Sequence, residues 1–236
     1  MKQYEQVIDV MRRNGGYATL GYLNHNVDVS KWATKTPFAS IRRIVQDNKY
    51  FFKIKPGLWA LNENKSEVLK KFNIEKSVEK NVDFNHSYYQ GLLLEIGKLK
   101  GLQTYIPPQD KNKLFLNSSL GSISTLNSIL DFSYNEIVNR AKTIDVIWFN
   151  IRRMPDSFFE VEHSTDIQNS LLKFNDLQDF YSNFYIVSAI ERKREFETKI
   201  NYGAFKEIKN RVKFIDYEFI SNLHTKSFEL HSIGTL

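Results

Sequence analysis

Ile144-Asp145-Val146-Ile147-Trp148-Phe149 and Phe158-Phe159-Glu160-Val161-Glu162-His163-Ser164 are the two stretches on which the fold of this chain turns. Each is an apolar run rich in β-branched and aromatic residues, the composition of a strand, and each is interrupted by acids. Side chains alternate along a strand, so Glu160 and Glu162 share one face while Val161 points into the core. Asp145 opens the neighbouring run. Three carboxylates on adjacent strands supply the hard oxygen donors that suit Mg²⁺.

Working outward, Asn150 to Ser157 is read as the turn between these strands. Ser164-Thr165-Asp166 carries N-cap chemistry for a helix through Ile167, Leu171, Leu172, Phe174 and Leu177. Phe184 to Ala189 is a continuous apolar run, as in a strand buried on both faces. Two helices, Glu191 to Ile200 and Tyr202 to Arg211, precede a last strand, Val212 to Tyr217. Upstream, a helix from His86 ends at Lys100-Gly101 and carries one acid, Glu95. Thr104 to Pro108 is a first strand. Residues 111–130 have no clear period and read as an insertion beside the site, and Tyr134 to Lys142 is a short helix.

The N-terminal quarter reads differently. Tyr4, Val7, Ile8 and Met11 have helical spacing, stopped by Asn14-Gly15-Gly16, and a short helix is expected around Leu20 to Leu23. Thr36-Pro37 starts a third helix, with Thr36 as N-cap and Pro37 in the first turn, and Phe38, Ile41, Ile44 and Val45 as its apolar stripe. Tyr50 to Ile54, Lys55-Pro56-Gly57 and Leu58 to Leu61 spell strand, turn, strand. Trp32 and Trp59 are assigned to the core. From Asn62 to Asn85 the chain turns polar and rich in Lys and Glu, which marks a linker with a short helix.

The chain has 236 residues, no cysteine and a formal net charge of +6. Disulfide and thiolate chemistry are therefore excluded. No apolar stretch approaches the roughly 20 residues of a membrane span, and the expectation is a soluble, cytoplasmic protein. The charge is unevenly placed: residues 1–66 hold 11 Lys and Arg against 5 Asp and Glu, whereas residues 67–236 hold 22 of each. A basic module joined to a neutral one suits a phosphate-binding anchor attached to a domain with another task.

The spacing of Asp145 and Glu160-Val161-Glu162 resembles the PD-(D/E)xK nuclease superfamily, in which an acid on one strand is followed by Glu-x-Lys on the next. Here Glu-x-Glu stands in that place, a variant found among restriction endonucleases. The resemblance covers residues 85–217 and implies a central mixed sheet flanked by helices, an α+β or α/β domain. It implies Mg²⁺, with Mn²⁺ as substitute, held by Asp145, Glu160 and the Val161 carbonyl. Glu162 is then a second metal ligand or the general base, and Glu95 is the acid that the superfamily's first helix presents to the metal. The missing lysine leaves positive-charge stabilisation unassigned; Lys173 and Gln168 on the next helix are read as solvated surface positions, with a part in that stabilisation as the alternative, and His163 as structural.

The run from Thr36-Pro37 to Leu61 resembles winged-helix modules of the HARE-HTH type. In these the third helix enters the major groove and the hairpin wing touches backbone or minor groove. Carried over, this nominates Lys35, Thr36, Ser40, Arg42 and Arg43 on the helix and Lys53 and Lys55 on the wing. The expected organisation is a winged helix over 1–62, a linker over 63–84 and a nuclease domain over 85–236. The expected activity is Mg²⁺-dependent cleavage of double-stranded DNA by a homodimer or through two successive nicks, with a cognate DNA methyltransferase in the same system. Two other readings stand beside it: a winged-helix DNA-binding regulator with an inactive nuclease-like domain, and a structure-selective nuclease.

Overall fold

Gln3–Arg13 forms helix α1, whose spacing buries Val7, Ile8 and Met11 against the first of two cores. The computed structural model describes residues 2–74 and 78–234. Their contacts divide them into two units, Met1–Asn81 with Ser221–Leu236, and Val82–Ile220. Of the expected linker, residues 75–77 lie outside the described residues.

In the first unit the chain leaves α1 through Gly15 and Gly16, both at left-handed φ, +84° and +87°, where a side chain would be strained. Strand β1 (Tyr17–Thr19) leads into α2 (Leu20–Asn26), capped by Thr19, whose hydroxyl accepts from the Tyr22 N–H at 3.1 Å. Helix α3 (Pro37–Ile44) has proline in its first turn as expected. Thr36 precedes it without a capping bond, its hydroxyl lying instead 3.4 Å from that of Thr34. Strands β2 (Phe51–Lys55) and β3 (Leu58–Leu61) form a hairpin around Gly57, at φ +72°, and the antiparallel sheet runs β1-β3-β2. Helix α4 (Lys65–Lys71) follows. Val7, Met11, Leu23, Ile41 and Val45 are fully buried, each contributing about 1.5–3 kcal/mol of hydrophobic transfer. Trp32 and Trp59 pack against this core partly buried, and Trp32 donates its indole N–H to Gln6 Oε1.

The second unit is built around α5 (Val78–Leu99), which begins earlier than the expected His86. Between Asn85 and Gly97 nearly every residue is buried, so this is a central helix rather than an amphipathic one. Then come β4 (Gln103–Tyr105), the two-residue strands β5 (Leu114–Phe115) and β6 (Ser118–Ser119), and α6 (Leu120–Ile123). The remainder is α7 (Asn135–Ala141), β7 (Val146–Phe149), β8 (Pro155–Glu162), α8 (Ile167–Asn175), β9 (Asn183–Ser188), α9 (Lys193–Ile200) and β10 (Val212–Asp216), and α10 (Tyr217–Gly234) belongs to the first unit from Ser221 onward. The helix expected over Tyr202 to Arg211 is instead a single 3-10 turn, Gly203–Phe205, followed by turns. Phe205 and Ile208 are buried three positions apart, a spacing that a tight turn satisfies as well as a helix does.

The five-stranded sheet has the order β10-β9-β8-β7-β4. β4, β7 and β8 pair antiparallel, and β8, β9 and β10 pair parallel, giving the mixed sheet flanked by helices. Its two faces are covered differently. Trp148 donates its indole N–H to the Leu93 carbonyl of α5 at 3.0 Å and packs on Phe159. On the other face Phe158 stacks on Phe184, which meets Phe174 of α8.

Candidate active site

Alternation along β8 puts Glu160 and Glu162 on the same face as Phe158, the face that α8 covers. Both are therefore buried, at 2% and 5% exposure, beside an equally buried Val161. Burial of a carboxylate demands partners, and α8 provides them. Asp166 caps that helix by accepting from the Gln168 N–H at 2.8 Å. This sets the helical phase so that Ile167, Ser170, Leu171 and Phe174 face the sheet. The Ser170 hydroxyl donates to Glu160 Oε2 at 3.0 Å and to Glu162 Oε1. Thr165 donates to the other oxygen of Glu162.

Lys173, expected to be a solvated surface residue, is the main correction. Its Nζ lies 2.9 Å from both oxygens of Glu160 and donates to the Thr143 carbonyl at 3.0 Å. Three residues beyond Ser170, it sits at the rim of the helix face that covers the sheet, and its stem reaches inward. Gln168 is half-buried.

Asp145 stands one residue before β7 and joins the two acids to α5. Its Oδ2 accepts the Val161 N–H at 2.7 Å, and its Oδ1 is 3.3 Å from Nε2 of His86. Asp110, at the end of the 3-10 turn Pro108–Asp110, is buried and accepts from Gln90 Nε2 at 2.8 Å. His86, Asp110 and Asp145 bring one donor atom each within 4.8 Å of one another, a group able to hold a divalent metal. Neither His86 nor Asp110 stands out in the sequence. His86 lies at the edge of the polar linker and Asp110 in a turn, and neither is part of a periodic pattern. Glu95 is nine positions after His86 and, at about 100° per residue, half a turn around the helix from it.

The electrostatics follow from burial and crowding. Glu160 is held well above the usual carboxylate range, first by burial and then by the negative charge of Asp145, with Lys173 pulling the other way. Burial pushes the His86 imidazole down, but its hydrogen bond to Asp145 and the charges of Asp145 and Asp110 outweigh that, and the net shift is upward. His163 lies between Asn85 Nδ2 at 3.3 Å and the Tyr217 hydroxyl at 3.4 Å.

In the first unit, Lys35, Thr36, Arg42, Arg43 and Lys53 are exposed. Lys55 is half-buried, and burial lowers its amine pKa. Ser40 is buried and donates to the Thr36 carbonyl at 3.3 Å, which turns it away from any surface ligand. Arg42 donates to Asn222 Oδ1 at 2.9 Å. Lys35, Thr36 and Arg42 line a groove of about 940 Å³ shared with Asn24, Lys226 and Glu229. No helix among the described residues is long and apolar enough to cross a membrane.

Comparison with known proteins bears on the second unit above all. The family model described as the type II restriction enzyme NmeDI C-terminal domain matches residues 68–235. A relative named type II restriction enzyme NmeDI, from Neisseria meningitidis serogroup C, is 24% identical over 158 residues. That alignment covers 63% of this chain and 44% of the relative, so the chain spans less than half the length of the protein it matches. No solved structure matches.

Proposed function

The chain belongs to the family of the type II restriction enzyme NmeDI C-terminal domain, and from that premise we propose that it is a restriction-type endodeoxyribonuclease. Its substrate is double-stranded DNA. Asp145, Glu160 and Glu162 form the acidic centre of a PD-(D/E)xK-type domain, and the observation that carries this reading is Lys173 Nζ at 2.9 Å from Glu160. That contact supports an acid-acid-lysine reading of the centre although the strand pattern itself lacks the lysine.

The donor set is all hard oxygen, which fits Mg²⁺, with Mn²⁺ as substitute. Asp145, Glu160 and the Val161 carbonyl would hold it. When bound, such an ion supplies Lewis-acid activation of the phosphate and a nucleophilic water at neutral pH. The protein's own groups do the rest. The Val161 N–H fixes Asp145, Ser170 fixes Glu160 and Glu162 together, and Lys173 holds a positive charge beside Glu160 that would stabilise negative charge on a phosphate bound there. Glu162 is taken as a second metal ligand or as the general base that accepts a proton from the attacking water.

The first unit has the element order of a winged helix, and its exposed cations Lys35, Arg42, Arg43 and Lys53 would hold the DNA backbone. One such centre cuts one strand, so a concerted double-strand cut calls for a homodimer. A cognate DNA methyltransferase and a cytoplasmic location complete the proposal. A second reading, a DNA-binding regulator whose second unit lacks chemistry, draws on the burial of Glu160 and Glu162 under α8.

Incubating the protein with supercoiled plasmid and Mg²⁺, beside an EDTA control, separates the two. Nicked and linear products that disappear with EDTA and with Asp145→Ala are expected, with DNA retention in a gel-shift assay unchanged. Full cleavage by Asp145→Ala removes the acidic centre from the mechanism, and an intact plasmid with every divalent ion tried favours the regulator.

A further inference from the structure

His86 on α5, Asp110 after β4 and Asp145 before β7 come from three separate parts of the chain, yet their donor atoms lie within 4.8 Å of one another. The 3.3 Å between His86 Nε2 and Asp145 Oδ1 is close to the spacing of about 3 Å between adjacent donors on an octahedral ion bound at about 2.1 Å. A separate observation points to the same place. Gln90, one helical turn after His86 and fully buried, donates from Nε2 to Asp110 Oδ2 at 2.8 Å and to the Asp145 carbonyl at 3.5 Å. Among the described residues its Oε1 has no hydrogen-bond partner. A buried amide oxygen left in that condition is costly, and a cation or its hydration shell is the kind of neighbour that satisfies it.

We propose that His86, Asp110 and Asp145 form a second divalent-metal position beside the acidic centre, and that it selects an ion of the mixed nitrogen and oxygen class, such as Mn²⁺ or Co²⁺. An imidazole ligand distinguishes it from the oxygen-only set of Asp145, Glu160 and the Val161 carbonyl, since Mg²⁺ prefers oxygen donors and retains its waters, whereas imidazole suits the later first-row ions. Asp145 is shared: one oxygen faces His86 and the other faces the Val161 N–H. Gln90 holds Asp110 in place, and Lys113, 2.8 Å from Asp110 and partly exposed, is the cation that the metal would displace. The site rests on the acidic centre proposed above only through Asp145.

The experiment is done without DNA, on the whole chain. Pulsed EPR of Mn²⁺ bound to the unaltered protein should report nitrogen hyperfine coupling from a directly coordinated imidazole. In parallel, His86→Gln and Asp110→Asn should each weaken Co²⁺ binding at least about tenfold while changing Mg²⁺ binding by less than about threefold. Bound Mn²⁺ with no nitrogen coupling overturns the site without reference to any variant. Nitrogen coupling that persists in folded His86→Gln, as judged by circular dichroism, also overturns it, because another imidazole is then the ligand. Since cleavage is not read, a protein that shows the His86-dependent coupling and leaves plasmid intact refutes the nuclease reading and not this one.

Discussion

Lys173 Nζ on α8 lies 2.9 Å from both oxygens of Glu160 on β8, an ion pair in which the acid is almost wholly buried and the lysine is 23% exposed. A carboxylate in that position is tolerable only with a counter-charge and satisfied lone pairs, and Lys173 and Ser170 supply both. The pair ties the helix after the acidic strand to the strand itself, so the geometry of the centre depends on α8 as much as on the strands.

Lys173→Met should therefore destabilise the metal-free protein by about 3 kcal/mol, because it leaves the buried Glu160 carboxylate without its counter-charge. Adding Glu160→Gln to that variant should recover most of the loss, a strongly non-additive cycle. Urea unfolding of the parent, both single variants and the double variant measures it. Additive losses would show that the contact carries no coupling.

Burial and Asp145 hold the Glu160 carboxyl above its ordinary 4.5, so the folded protein binds this proton more tightly than the unfolded chain. The stability linked to it is fully present below about pH 4.5 and is lost as pH rises through the raised folded value. Glu160→Gln abolishes that dependence. In the presence of a chelator, the variant's melting temperature relative to the parent should rise as pH is taken from 4.5 toward neutrality. A difference that stays constant over that range would mean that Glu160 titrates normally.

Gly97 is where α5 admits the sheet: a Cβ there would lie 2.5 Å from Thr104 Cγ2 and 2.6 Å from the Trp148 indole nitrogen. That nitrogen is committed to the Leu93 carbonyl. Gly97→Ala should cost about 1–3 kcal/mol through overpacking, against the small gain alanine normally brings to a helix. Gly203→Ala, with nothing among the described residues within 4 Å of the added atom, is the control. Thermal melts of the two decide it, and equal stability would mean that α5 is free to move away from the sheet.

On the proposed DNA anchor, exposure predicts which substitutions matter. Arg43→Ala and Lys53→Ala should each weaken binding to any duplex and lower the slope of log K against log salt by about 1. Ser40→Ala should leave both unchanged, since its hydroxyl is buried on the Thr36 carbonyl. Fluorescence anisotropy over a salt series measures all three, and an unchanged slope for Arg43→Ala and Lys53→Ala would remove this face from the anchor.

Much of the fold can be read along the chain because its elements announce themselves locally. The apolar runs of β7 and β9 and the Asp166 cap of α8 are signals contained within a few residues. Where the signal is ambiguous, local reading errs. Phe205 and Ile208 imitate a helix in a segment that contains only a 3-10 turn. α10 has no counterpart among the expected elements because, apart from Ile220, its buried residues are Ser221, His224, Thr225 and Ser227, which an apolar periodicity does not register.

The candidate site divides in the same way. Strand alternation is a local rule, and sequence alone was enough to place Glu160 and Glu162 on one side of β8 and to set Asp145 beside β7. What lies opposite them was decided only by packing. Lys173 is legible as a lysine on a helix, but whether it faces water or Glu160 depends on the rotation of α8 over the sheet. His86, Gln90 and Asp110 meet Asp145 only because α5 crosses the other face and the turn after β4 folds back. These are contacts between residues far apart in the chain, set by which surfaces bury together, and no periodicity within a single segment encodes them.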